Sequence, residues 1–378
     1  MPLPDLHNLI HWVDSDRALD EACAVWRCAD AIAVDTEFVR RRTYYPIPAL
    51  LQVYDGARVG VVDPLAIGDW SPLAELLAGP VVKVLHACSE DLEVFSRLLG
   101  VVPAPLFDTQ IAAGLCGLRP SMGYHNLVQE LCGVALPKDE TQSDWLVRPL
   151  SDGQLTYAAS DVYYLYAVYR QLRERLAALG REAWVLEDGA AVGHGLSSLT
   201  PPEEAYLRLK GAWRLQPPQL AVARALAAWR ERMVRERDLP RNWLLKDAAI
   251  LALAQRQPDA LPALAAVAEL PPSSLRKFGA QLLQCIAEAA ALPPGQWPPA
   301  LPSARPDVPR QAMAQVEAAV AAAAAELGVA PEVLVNRKQL TALAQSLAGG
   351  GGAALSAELG GWRAQVLAAA LASAEQGA

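Results

Sequence analysis

At 378 residues the chain is longer than one ordinary domain and suits two or three, at roughly 100–200 residues each. With 53% apolar and 20% charged residues it falls in the soluble globular class and outside the disordered one. A net charge of −8 argues against a uniformly basic polyanion-binding chain, yet residues 200–295 carry 13 basic against 9 acidic side chains while residues 1–199 carry 15 against 26.

The opening MPLPDLHNLIHWVDSD lacks a basic region followed by an apolar core and a small-residue cleavage site, so no secretory leader is expected and the chain is placed in the cytoplasm. Apolar runs such as 318–325 stop well short of the roughly 20 residues that span a bilayer, and no membrane association is expected. The six cysteines show no CxxC pair, and of the five histidines only His7 and His11 stand four apart, as HNLIH, without the glutamate of an HExxH motif or a cysteine pair beside them. Reduced thiols and no zinc site are therefore expected. Any metal would be held by oxygen.

Residues 8–63 alternate β-rich runs with one helix: LIHWV, a helix near 16–28, AIAVDTEF, ALLQVYD and ARVGVVD. A helix near 71–78, the strand VVKVLH, a helix over about 89–99 and several further helices to about 178 follow. This order predicts an α/β domain with a mixed sheet. The Gly-, Ser- and Pro-rich stretch 187–203 reads as a linker, with a boundary near 195. Residues 204–290 are helical in pattern, and a second Pro-rich stretch at 292–310 separates them from an Ala-rich helical segment with a Gly run at 349–352.

Within AIAVDTEF, Asp35 and Glu37 stand two apart on a strand, so both carboxylates project from one face. Either they lie exposed at a strand end, or a divalent cation offsets their repulsion. Asp91 falls in the first turn of the helix after VVKVLH, where an acid is also favourable as an N-terminal charge. His86 ends that strand, as a structural histidine or a group near substrate. In QLTYAASDVYYL, Tyr157 and Asp161 lie four apart and share a helix face; a tyrosine hydrogen-bonded to an aspartate in a half-buried site would look the same.

The order of these blocks is more specific than any one of them. VDTEF (34–38), HACSEDLEVF (86–95) and TQSDWLVRPLSDGQLTYAASDVYYL (141–165) resemble the three exonuclease motifs of the DEDD superfamily in its tyrosine subgroup, with flanking text closest to the ribonuclease D family. The resemblance spans roughly residues 8–180. It implies an RNase H-like mixed sheet flanked by helices, and two magnesium or manganese ions on Asp35, Glu37, Asp91 and Asp161. Tyr157 would position the attacking water; with an ordinary pKa near 10 it orients rather than deprotonates at neutral pH. The reaction implied is 3′-to-5′ hydrolysis of RNA to nucleoside 5′-monophosphates, with transfer RNA precursors and other small structured RNAs as substrates.

Other residues divide between substrate contact and ordinary structure. Phe38 either stacks on terminal bases or fills core. Arg40 and Arg41, with Arg42, Tyr44 and Tyr45, either touch the phosphate backbone or form a solvated loop. Arg235, Arg237 and Arg241 in WRERMVRERDLPRNWLLKD, and Lys277 in LRKFG, supply the positive balance of the middle segment. PRNWLLKD and LRKFG resemble the HRDC domain, a helical module associated with nucleic acid, over about 204–290. VNRKQL (335–340) and GWR (361–363) resemble the second HRDC-like unit of the same family. The expected layout is an exonuclease domain at 1–195 and two small all-α units at 204–290 and 308–378, in a monomer. A DNA exonuclease with the same metal chemistry and a catalytically silent RNA-binding scaffold are the competing readings.

Overall fold

The computed structural model describes residues 6–137, 143–197, 200–267, 272–303, 308–349 and 359–376. Thr141 and Gln142 of the third motif block and Gly350–Gly352 of the glycine run lie outside them. The chain forms two compact units: residues 1–39, 47–197 and 308–378, and residues 40–46 with 198–307.

The first unit is built on six strands: β1 (Ile10–Val13), β2 (Ala31–Val39), β3 (Ile47–Tyr54), β4 (Val59–Val62), β5 (Val82–Leu85) and β6 (Leu106–Asp108), in the order β1-β4-β3-β2-β5-β6. β2, β3 and β4 pair antiparallel, while β1–β4, β2–β5 and β5–β6 pair parallel. The mixed sheet read from the sequence is present. β6 is an addition, a three-residue edge strand too short to leave a periodic signature.

Helices α1 (Asp16–Trp26), α2 (Ser71–Ala78) and α3 (Ser89–Leu99) cover one face of the sheet, where Leu19, Trp26, Leu73, Leu77, Leu92 and Phe95 meet Ile32, Val34, Leu51 and Val53. Short helices α4 (Thr109–Leu115) and α5 (Tyr124–Cys132), with the long α6 (Asp152–Leu179), cover the other. There Ala158, Val162 and Leu165 meet Ala31, Ala33, Leu50 and Tyr54. α6 starts sharply because Ser151 and Gln154 form a reciprocal capping box, and it stops at Gly180, where φ is 68°.

α7 (Glu182–Ser197) corrects the linker reading of 187–203 over residues 187–197. Its glycines serve packing: a Cβ on Gly189 would stand 2.2 Å from the Leu106 carbonyl oxygen of β6. Asp188 is also 8% exposed and pairs with Arg363 and the Trp362 indole. Gly189→Ala should therefore destabilise the protein by about 2 kcal/mol or more, since backbone on both sides must give. Chemical denaturation of the metal-free protein reads this; an unchanged midpoint would show that α7 is loosely held.

The second unit contains α8 (Pro217–Arg237), α9 (Arg241–Leu244), α10 (Asp247–Arg256), α11 (Leu261–Ala265) and α12 (Pro272–Ala290). Its core gathers Leu220, Leu226, Trp229, Ile250, Leu253, Phe278 and Leu282 with Tyr44. The chain then returns to the first unit as α13 (Arg310–Leu327), α14 (Pro331–Leu334), α15 (Arg337–Ala348) and α16 (Gly361–Gln376). Val316, Val320, Leu343 and Leu367 share one core with Leu172 and Leu176 of α6. The Trp184 and Trp362 rings stack at 4.4 Å. Among the described residues no helix is long and apolar enough to cross a membrane. All six cysteines are free, with Cys23 and Cys88 buried and Cys28 exposed.

Candidate active site

β2 is apolar on both faces over Ala31–Val34 and carries its acids only toward its C-terminal end. Strand alternation sends Asp35 and Glu37 to the α6 side and Thr36 to the α3 side. The Thr36 hydroxyl donates to Asp91 Oδ1 at 2.5 Å, which ties the first turn of α3 to the strand beside the two acids. Asp161 arrives from α6, where Tyr124 Oη donates to its backbone carbonyl.

Oxygens of Asp35, Glu37 and Asp161 all lie within 4.8 Å of one another. Asp91 stands outside that triplet but feels Asp35 electrostatically. Burial and the Asp161 charge push Asp35 up to about 8. Burial, then Asp35, Asp161 and Asp91, push Glu37 up to about 9. Asp91 is raised to about 8 by burial and by Asp35. Asp161 is raised to about 7 by burial, held back by its hydrogen bond from Tyr157. No lysine or arginine among the described residues offsets these four acids. A set of hard oxygen donors with no internal counter-charge fits a divalent cation of the magnesium or manganese type.

Tyr157 is 7% exposed, beside Trp145 at 6.0 Å between ring centroids. Burial and the neighbouring Asp161 raise its phenol well above the ordinary tyrosine range. The group is a donor at any working pH, not a base.

His86 sits where β5 meets α3. The Thr109 hydroxyl donates to the Leu85 carbonyl at 3.0 Å, so its oxygen is left to accept from His86 Nδ1 at 2.9 Å. Burial pulls the imidazole below its usual pKa, against the raising effects of Asp108 and the Met122 carbonyl. The ring is therefore neutral at pH 7. The turn that carries it depends on Asp108, which caps α4 and accepts from the Ala87 and Cys88 amides at 3.1 and 3.0 Å. Sequence reading passed over Asp108, although an Asp-Thr pair opening the helical TQIAAGL run is an N-cap signal. It passed over Asp63 as well, whose carboxylate takes two hydrogen bonds from Arg148 at 2.6 and 2.7 Å.

Phe38 follows the acids at a register shift in the β2–β3 pair, half-buried. In the second unit, Arg40 donates to the Tyr44 carbonyl at 2.7 and 3.0 Å, and Arg41 is exposed. Tyr44 is no solvated loop residue: it is 6% exposed and its hydroxyl donates to Glu231 at 2.5 Å. Arg235 and Arg241 also close on Glu231, at 2.8 and 2.7 Å. Arg237 and Lys277 remain exposed, and their cations lie 5.1 and 5.3 Å from the Phe278 ring centroid. Of the candidates, the structure thus gathers Asp35, Glu37, Asp161 and Tyr157 in one site with Asp91 at its edge, and leaves the basic residues in the other unit.

The family model described as 3′-5′ exonuclease matches residues 10–177, and that of the HRDC domain matches residues 219–286. Ribonuclease D of Pseudomonas paraeruginosa is 46% identical over 98% of both chains. Ribonuclease D of Escherichia coli is 37% identical over 88% of both. A crystal structure of Escherichia coli RNase D, described as an exoribonuclease involved in structured RNA processing, superposes with a TM-score of 0.87 at 35% identity, over 97% of this chain and 99% of that one.

Proposed function

The chain belongs to the ribonuclease D family and is an exoribonuclease, and from that premise we propose that it removes nucleoside 5′-monophosphates one at a time from the 3′ end of RNA at the Asp35–Glu37–Asp161 cluster. The observation that supports this most is the convergence of three carboxylates within 4.8 Å in a site where no cationic side chain among the described residues balances them. Asp35, Glu37, Asp91 and Asp161 would hold two divalent cations, magnesium or manganese. When bound, these supply positive charge for the attacking and leaving oxygens and a nucleophile at neutral pH.

The chain's own residues do the rest. Thr36 fixes Asp91 relative to β2. Tyr157, its proton held on Asp161, orients the attacking water along the line of displacement through its phenol oxygen, which accepts from the water. Phe38, at the bulge directly after the acids, presents an aromatic edge for the terminal base. His86 is neutral, and serves as a hydrogen-bonding group rather than a charge for phosphate. Arg40 and Arg41 are placed along the RNA backbone with Arg237 and Lys277. Arg235 and Arg241 contribute less, because Glu231 already balances them. Structured RNAs, transfer RNA precursors among them, are the substrates this reading favours, in line with the description of the Escherichia coli relative. A cytoplasmic monomer completes the proposal.

Tyr157→Phe tests the assigned role. Turnover on a 5′-labelled RNA should fall about 100-fold, with manganese affinity changed less than the turnover. Wild-type turnover in the variant would remove Tyr157 from the mechanism.

A further inference from the structure

Gln52 interrupts the apolar run ALLQVY at the middle of β3, the strand between β2 and β4. It is 0% exposed, and among the described residues neither Nε2 nor Oε1 has a hydrogen-bond partner. In register it stands opposite Asp35 on one side and Val61 on the other. Leu50 and Tyr54, two residues either way, belong to the core beneath α6. Gln52 therefore faces the same layer as Asp35, as its direct cross-strand neighbour, a relation that puts Cβ atoms roughly 4.5–5.5 Å apart.

A buried amide that makes none of its hydrogen bonds costs the metal-free fold about 1–3 kcal/mol, which leucine or methionine in the same place would avoid. The residue is thus poorly explained as core. Once ionised, the state in which it would bind a cation, its neighbour Asp35 can only accept hydrogen bonds. A primary amide is a neutral donor suited to the carboxylate oxygen that faces away from the cation. Such outer partners commonly hold a ligand in place.

We propose that Gln52 is a positioning residue of the active site, whose amide holds the ionised Asp35 carboxylate in its cation-binding orientation. The inference rests on the cation-binding reading of the carboxylate cluster. Gln52→Met and Gln52→Leu keep the volume and delete the donors. Manganese titration calorimetry at pH 8 should show affinity weakened 10- to 100-fold in both, while their melting temperatures in chelator stay at or above that of wild type. Manganese affinity within twofold of wild type overturns the inference. So does a loss of stability in chelator without a loss of affinity, or collapse of both variants, because the amide would then serve the fold itself. Wild type is the control that separates the two readings: its failure to bind manganese overturns the cation reading underneath, whereas equal binding by wild type and variants overturns the role of Gln52 alone.

Discussion

Asp161→Asn should abolish RNA shortening, by at least about 10³-fold in turnover, and at the same time raise the melting temperature of the metal-free protein at pH 8. The two effects have one origin. Asp161 lies within 4.8 Å of Asp35 and Glu37, and its charge is among the influences that push both of their pKa values up. Removing one negative charge from a desolvated like-charge cluster relieves repulsion in the empty site. Asparagine keeps an oxygen for the Tyr157 hydroxyl, so the packing of α6 survives. Melting in chelator and turnover with magnesium, measured on one preparation, read both. A variant that lost activity and stability together would indicate that Asp161 is a structural residue of α6.

A second large effect is expected from pH and metal. Asp35, Glu37, Asp91 and Asp161 titrate near 8, 9, 8 and 7 in the folded chain, against about 4 in an unfolded one. Between about pH 4 and 9 the native state consequently binds more protons than the unfolded state, and stability from this site falls as pH rises through that window. Glu231 works in the opposite sense. Burial alone would raise it, but Arg241, Tyr44 and Arg235 pull it down to about 2; its contribution is present above about pH 4.5 and is lost as pH drops toward 2. In chelator the melting temperature should thus fall from pH 5 to pH 9. Excess magnesium or manganese should raise it, more at pH 9 than at pH 6, because the ions bind the ionised acids. A melting temperature that is flat with pH in chelator and indifferent to metal would contradict the electrostatic account of the site.

Strand and helix periodicity were enough to bring Asp35 beside Glu37 and Tyr157 beside Asp161, because each pair is local: two residues on a strand, four on a helix. The joining of the pairs is a long-range event that no local pattern states, and the resemblance of the motif order supplied it. Asp91 shows the limit. Its place depends on Thr36 and on Asp108 holding the turn after β5, contacts between residues 20 or more apart in sequence. Gln52 did leave a sign, a lone amide in an apolar run, but the sign has meaning only once β3 is known to lie against β2 at Asp35. The glycines of α7 misled for a physical reason, since a residue that frees a linker also lets a helix press on a strand. Arg235 and Arg241 count toward the positive balance of the middle segment in sequence, because nothing there tells that Glu231 is buried and takes both of them; a buried acid looks no different from an exposed one.

The most direct test is to incubate a 5′-labelled, 3′-extended transfer RNA and a matched DNA strand with wild type and with Asp161→Asn, in magnesium and in chelator. The account predicts stepwise shortening of the RNA from its 3′ end by wild type in magnesium only, with nucleoside 5′-monophosphates as product. Shortening in chelator, or by Asp161→Asn at the wild-type rate, would contradict catalysis at the carboxylate cluster; shortening of the DNA alone would contradict RNA as substrate.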